Sequence, residues 1–193
     1  MAIHIRNCIA PLIVLVISAV SAHAQAQKTA CTMKANQSPE VRSFKLGQTV
    51  EQLRTKFPNN FWLDDNSEEG PTIVLLSRSD LGRNEAYEGL EGVTLRFLDK
   101  KIASLTVKYS SETKWNSQEE FNSAVVQNLK LPTTGWKGRY SLTLTCEDFT
   151  VETSAGLAGV TGASIQIKLR DFEQEVERRK LQKEADRRKV FKP

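Results

Sequence analysis

Apolar and polar residues alternate most regularly over Gly92–Tyr109, which reads as two β-strands joined by a tight turn. Val93, Leu95 and Phe97 share one face of the first strand, and Ala103, Leu105 and Val107 share one face of the second. A two-residue loop at Asp99-Lys100 pairs Phe97 with Ile102 and Leu95 with Ser104, which divides the apolar set between faces. A three-residue loop ending at Lys101 pairs Val93 with Val107, Leu95 with Leu105 and Phe97 with Ala103. Slipping by one residue turns every side chain over, so burial selects the second register, with Lys101 in a left-handed conformation. The outer face is then Thr94, Arg96, Leu98, Ile102, Ser104, Thr106 and Lys108.

The flanking patterns predict further elements. Thr49-Val-Glu-Gln52 is a capping box, and Val50, Leu53 and Phe57 lie on one helical face that stops at Pro58. Thr72 to Ser77 is a compact β-branched and leucine run, read as a strand. Residues 78–91 form a polar, partly helical crossover. They lack the Lys-Ser/Thr ending of a phosphate loop, so Gly82, Gly89 and Gly92 are turn residues. Ser117-Gln-Glu-Glu120 is a second capping box, and its helix runs through Phe121, Val125 and Leu129 to Pro132. Arg139 to Thr145 alternates with Tyr140, Leu142, Leu144 and Cys146 on one face. A Glu147-Asp148 turn pairs Cys146 with Phe149 and Leu144 with Val151. Ala163 to Arg170 alternates with Ile165, Ile167 and Leu169 inward. Val41 to Leu46 is a further short strand candidate.

The two halves echo each other. Their capping boxes start 68 residues apart, each helix stops at a proline, and Trp62 and Trp136 each lie four residues past it. The expected fold class is α+β: two αβββ repeats forming antiparallel sheet with helices on one face, plus a charged C-terminal helix. The boundaries are a signal peptide at 1–24, an N-terminal arm at 25–45, repeats at 46–113 and 114–170, and the helix at 171–193.

Charge and cysteine usage narrow the chemistry. Arg6 followed by the apolar run Cys8 to Val20 and Ala22-His23-Ala24 has the layout of a cleaved secretory signal. The expected location is therefore periplasmic or secreted, with no stable membrane span after cleavage. Both histidines, His4 and His23, fall in that segment, so the mature chain has no histidine for a catalytic triad or a zinc site. Cys31 and Cys146 remain, and an even pair in an oxidising compartment is most simply a disulfide. Net charge is +4, of which residues 170–193 hold nine Lys/Arg against six Asp/Glu. The body from 25 to 169 is neutral, which argues against nucleic acid as a partner. The tail reads as a solvated helix docked by its first turns, through Phe172 and Val176. A partner-binding or anionic-surface tail is the alternative.

Leu46-Gly-Gln-Thr-Val-Glu-Gln-Leu53 resembles the "G-M-T-x-x-E-V" helix opening of small exported α+β modules, the β-lactamase-inhibitor-protein fold and the small outer-membrane assembly lipoproteins. The resemblance covers about ten residues and the order of elements. The chain departs from the family in lacking a lipobox and in having Phe57-Pro58 where Gly-x-Pro is usual. It implies a helix preceding an antiparallel sheet and protein binding through that sheet, and it supplies no site residues.

Few residues offer chemistry. Asp64, Asp65, Asn66, Glu68 and Glu69 carry oxygens suited to calcium, but glycine is missing from the sixth position of an EF-hand loop, and a solvated acidic turn is the simpler reading. Trp62, Trp115 and Trp136 sit at helix ends, as core corners rather than a sugar platform. No catalytic residue, metal site or cofactor is expected. The expected function is a non-enzymatic module that binds another envelope or extracellular protein; a small-ligand or glycan-binding module is the alternative. The candidate partner contact is the hairpin tip, where Leu98 and Ile102 pair on the outer side beside Arg96.

Overall fold

A computed structural model of the chain describes residues 31–58, 72–82, 84–156 and 161–190. The expected signal segment, the acidic turn and Trp62 lie outside the described residues. The fold is α+β: helices α1 (Val50–Lys56), α2 (Arg78–Leu81), α3 (Gln118–Leu129) and α4 (Phe172–Val190) accompany strands β1 (Thr72–Ser77), β2 (Leu90–Leu98), β3 (Lys101–Tyr109), β4 (Leu142–Thr145), β5 (Phe149–Ser154) and β6 (Ser164–Leu169). All six strands form one antiparallel sheet in the order β1-β2-β3-β6-β5-β4.

Strand alternation gives this sheet two unlike faces. On one, the rows Val74-Leu95-Leu105-Ile167-Val151-Leu144 and Leu76-Val93-Val107-Ile165-Thr153-Leu142 run from edge to edge. These rows share one core with Val50, Leu53 and Phe57 from the α1 region and with Phe121 and Val125 of α3. Thr153 is the one hydroxyl in those rows. It is buried, and it donates to the Asn122 side chain at 2.9 Å. Gln118 of α3 completes the joint, donating to the Thr153 carbonyl at 3.1 Å and accepting from the Ala155 amide at 2.7 Å.

The caps form as their spacing predicts, with one variation. Thr49 accepts the Gln52 amide and Gln52 accepts the Thr49 amide. Ser117 likewise accepts the Glu120 amide, but Glu120 reaches one residue further back, to Asn116. Val41 to Leu46 is a tight turn rather than a strand. Val41 and Phe44 bridge each other while Arg42 and Ser43 take positive φ, and Phe44 stacks on Phe57 with ring centroids 5.4 Å apart. Tyr140 is also displaced from its expected inward place: β4 starts only at Leu142, and Tyr140 is exposed.

Cys31 and Cys146 form a disulfide, with Cα atoms 4.4 Å apart and a sequence separation of 115. The arm that follows Cys31 runs along the β4–β5 turn. The Glu147 amide donates to the Met33 carbonyl at 3.2 Å, and the Ala35 amide donates to the Asp148 carboxylate at 3.1 Å. Cross-linking so distant a pair restricts the unfolded chain strongly. Replacing both cysteines with serine should lower stability by about 2–5 kcal/mol, read as an earlier urea midpoint with a larger m-value, because the unfolded chain expands once the cross-link is gone. A loss below about 1 kcal/mol would contradict the entropic role assigned to the bond.

Candidate protein-binding face and its tip

The hairpin settles the register by combining both loop readings. Val93 pairs with Val107 and Leu95 with Leu105, as burial requires, yet Phe97 pairs with Ile102 and Leu98 with Lys101. The loop is therefore the two-residue Asp99-Lys100. Both residues have positive φ, 49° and 62°, as a type I′ turn demands. A bulge at Ala103, between the Arg96 and Phe97 pairings, absorbs the extra residue. The left-handed residues are Asp99 and Lys100, not Lys101.

The bulge also moves Ile102. The expected outer pair of Leu98 and Ile102 does not exist, because Ile102 is only 1% exposed and belongs to the core. Its backbone explains why. The Ile102 amide donates to the Gln48 carbonyl and its carbonyl accepts the Gly47 amide, both at 2.9 Å. The segment leading into α1 thus lies beside the start of β3 and turns Ile102 inward. Leu98 remains half-buried and borders a groove of about 770 Å³ with Gln48, Gln52, Glu175 and Arg179.

Arg96 keeps its outer position but is already engaged by α4. Its guanidinium lies 4.3 Å from the ring centroid of buried Phe172, and it donates to Glu173 at 2.9 Å. About two turns further on, Arg179 grips Asp99 with two hydrogen bonds of 2.8 Å, while its Nε donates to Glu175 at 2.7 Å. The first turns of α4 are thereby fastened to the hairpin tip, and Phe172 covers Arg96. The chain's own helix occupies the arginine anchor that the sequence reading reserved for a partner.

The outward rows that remain are Leu75-Thr94-Thr106-Gln166-Glu152-Thr143 and, nearer the tip, Ile73-Arg96-Ser104-Lys168-Thr150-Thr145. Gln166 donates to Thr106 at 3.1 Å across the β3–β6 seam. Most of these side chains are half-exposed; Ser104 is buried, and Ile73 and Leu75 are 50% and 71% exposed. Of the outward residues expected on the hairpin, Thr94, Thr106 and Lys108 share this face, and Thr143, Thr145, Gln166 and Lys168 join them from β4 and β6. Arg170 lies past β6 and donates to the Glu147 carbonyl at 3.1 Å. Ile73, Leu75, Thr150 and Glu152 were missed. The β1 run does not alternate, so only the strand order reveals its face.

Trp115 and Trp136 pack against the core, and the Trp136 indole donates to the Pro132 carbonyl at 2.8 Å. Among the described residues, no three His, Cys, Asp or Glu side chains gather into a metal-binding group, and no helix is long and apolar enough to cross a membrane. The chain matches no protein-family model, no curated protein and no solved structure.

Two predictions follow from the tip. Ile102→Thr places a hydroxyl in the core and should cost about 2 kcal/mol, whereas Leu98→Ser should cost less than about 1 kcal/mol; equal losses in thermal unfolding would contradict the bulged register. The second concerns acid. Hydrogen bonds from Arg178 and Arg179 hold Glu175 down at about 2, against an ordinary 4.5. Those from Arg179 hold Asp99 below its ordinary value. A depressed carboxylate stabilises the fold above its unfolded pKa, and that contribution is lost as pH falls through the folded value. The clamp should therefore hold above pH 4.5 and loosen progressively below it, as Glu175 protonates towards about 2 and Asp99 protonates below its ordinary 3.8. Amides of α4 should then exchange faster while those of β3 stay protected, and unchanged α4 protection at about pH 2 would contradict the clamp.

Proposed function

We propose that this chain is an exported, non-enzymatic module that binds another envelope or extracellular protein through the outward face of its sheet. The observation that carries the reading is the half-exposed row Thr94-Thr106-Gln166-Glu152-Thr143, which crosses five strands of one continuous sheet. Four of its members are short or β-branched or tied to a neighbour, so they lose little freedom when a partner docks. Their hydroxyl and amide groups offer donors and acceptors at fixed spacing.

Two further features support the same reading. The Cys31–Cys146 disulfide belongs to an oxidising compartment, which agrees with a periplasmic or secreted location after removal of residues 1–24. The helix opening at Leu46–Leu53 resembles that of exported α+β binding modules and favours the same style of function. Nucleic acid, metal and cofactor have no place in this proposal.

A second reading, a small-ligand or glycan site, is favoured by one feature. A groove of about 560 Å³ at the far end of the face is lined by Ser110, Ser111, Ser154 and Ser164 with Arg78 and Lys108.

The test is a Thr94→Lys, Gln166→Lys double variant, which leaves the core rows untouched. With the fold confirmed by circular dichroism, capture of the partner from envelope extract should fall by about tenfold or more, as for two like obstructions at an interface centre. Undiminished capture would remove this face. A Lys108→Glu, Ser164→Glu variant that alone abolishes binding would favour the serine groove.

A further inference from the structure

The two edges of the sheet are treated differently. Beyond β4, Lys137 bridges Thr143 with reciprocal backbone hydrogen bonds of 2.9 and 2.7 Å, so part of that edge is occupied. At the other end, β1 is the last strand among the described residues. Its sequence, Thr72-Ile-Val-Leu-Leu-Ser77, holds no charge and no proline. It pairs with β2 through six consecutive positions without a bulge. Lysine, proline and bulges are the usual guards of a free edge, and β1 has none of them. Its outward side chains, Ile73 at 50% and Leu75 at 71%, are among the few large apolar groups left exposed.

We propose that β1 is the pairing edge of a homodimer, taking β1 of a second copy of this chain in antiparallel register about a two-fold axis at Val74. Residues directly opposite in a ladder face the same side, so this register sets Val74 against the partner's Val74 and Ile73 against the partner's Leu75. The outer face gains an apolar quartet, and each copy covers the side chains that the other leaves exposed. The result is one sheet of twice six strands with a continuous outward surface.

Complementarity selects a second copy as the occupant. Every other strand carries a charged side chain or is shielded, whereas β1 meets β1 without burying a charge on either side. Blocking at Lys137–Thr143 disfavours head-to-tail pairing of β1 with β4, which would grow into an open chain, and leaves the closed isologous contact. One ribbon of five residues from each copy, 72–76, is a small interface, below about 1,200 Å² in total, so the dimer is a weak and concentration-dependent one.

The experiment is light scattering coupled to size exclusion on the disulfide-bonded chain from residue 25, loaded from about 1 to about 300 μM. The mass should rise about twofold over that range. Leu75→Lys, a change at an exposed position, should hold it at the single-chain value at every concentration. Leu181→Lys, at the exposed leucine of α4, should dimerise like the parent. A single-chain mass throughout, an undiminished dimer in Leu75→Lys, or growth beyond twofold would each overturn the proposal. So would a parent that stays monomeric while taking up a foreign extended peptide at β1.

Discussion

The pairing of β3 with β6 is the constraint on which the rest of the molecule depends. Five residue pairs, from Ser104 with Lys168 to Lys108 with Ser164, join strands some sixty residues apart. Without that seam each half would hold a three-stranded sheet with a bare edge at its centre. Leu105 and Val107 would be separated from Ile165 and Ile167, and the two rows of the core would be cut in half. The seam lies in the middle of the outward face as well, where Gln166 reaches across it to Thr106. One ladder therefore makes both the core and the candidate surface continuous.

The hairpin tip shows how local and distant demands are reconciled. The turn wants two residues, burial wants the register of the longer loop, and the bulge at Ala103 satisfies both. What makes the bulge stable lies elsewhere in the chain. Gly47 and Gln48 take up the backbone groups of Ile102, and α4 holds the turn from outside through Arg179 and Asp99. The Arg179 fork is bidentate, which fixes orientation as well as distance, and so it positions the start of a helix whose later turns are solvated.

The alternation of β2, β3, β5 and β6 was legible because each strand is half-buried, so the period of two is written into its residues. The helix starts were legible from Thr49 and Ser117, whose cap bonds are local. The disulfide was legible once the leading apolar segment with Cys8 was read as a signal, which leaves one pair for an oxidising compartment. The inward turn of Ile102 was not, since it depends on a segment more than fifty residues away; nor was the use of Arg96 by Phe172 and Glu173, which sit over seventy residues later. The uniform apolar run of β1 conceals which of its residues point outward, and its edge position follows only from the strand order.

The outward face is rich in threonine, and its methyl groups report on it directly. Thr94, Thr106, Thr143 and Thr150 point outward, while Thr153 is buried in the core rows and serves as an internal reference. The most direct measurement is a methyl spectrum of threonine-labelled protein titrated with the partner captured from envelope extract. Binding through the sheet face predicts shifts at Thr94, Thr106, Thr143 and Thr150 with Thr153 unmoved. Shifts confined to Thr49 beside the tip groove, with the four outward methyls unchanged, would contradict it.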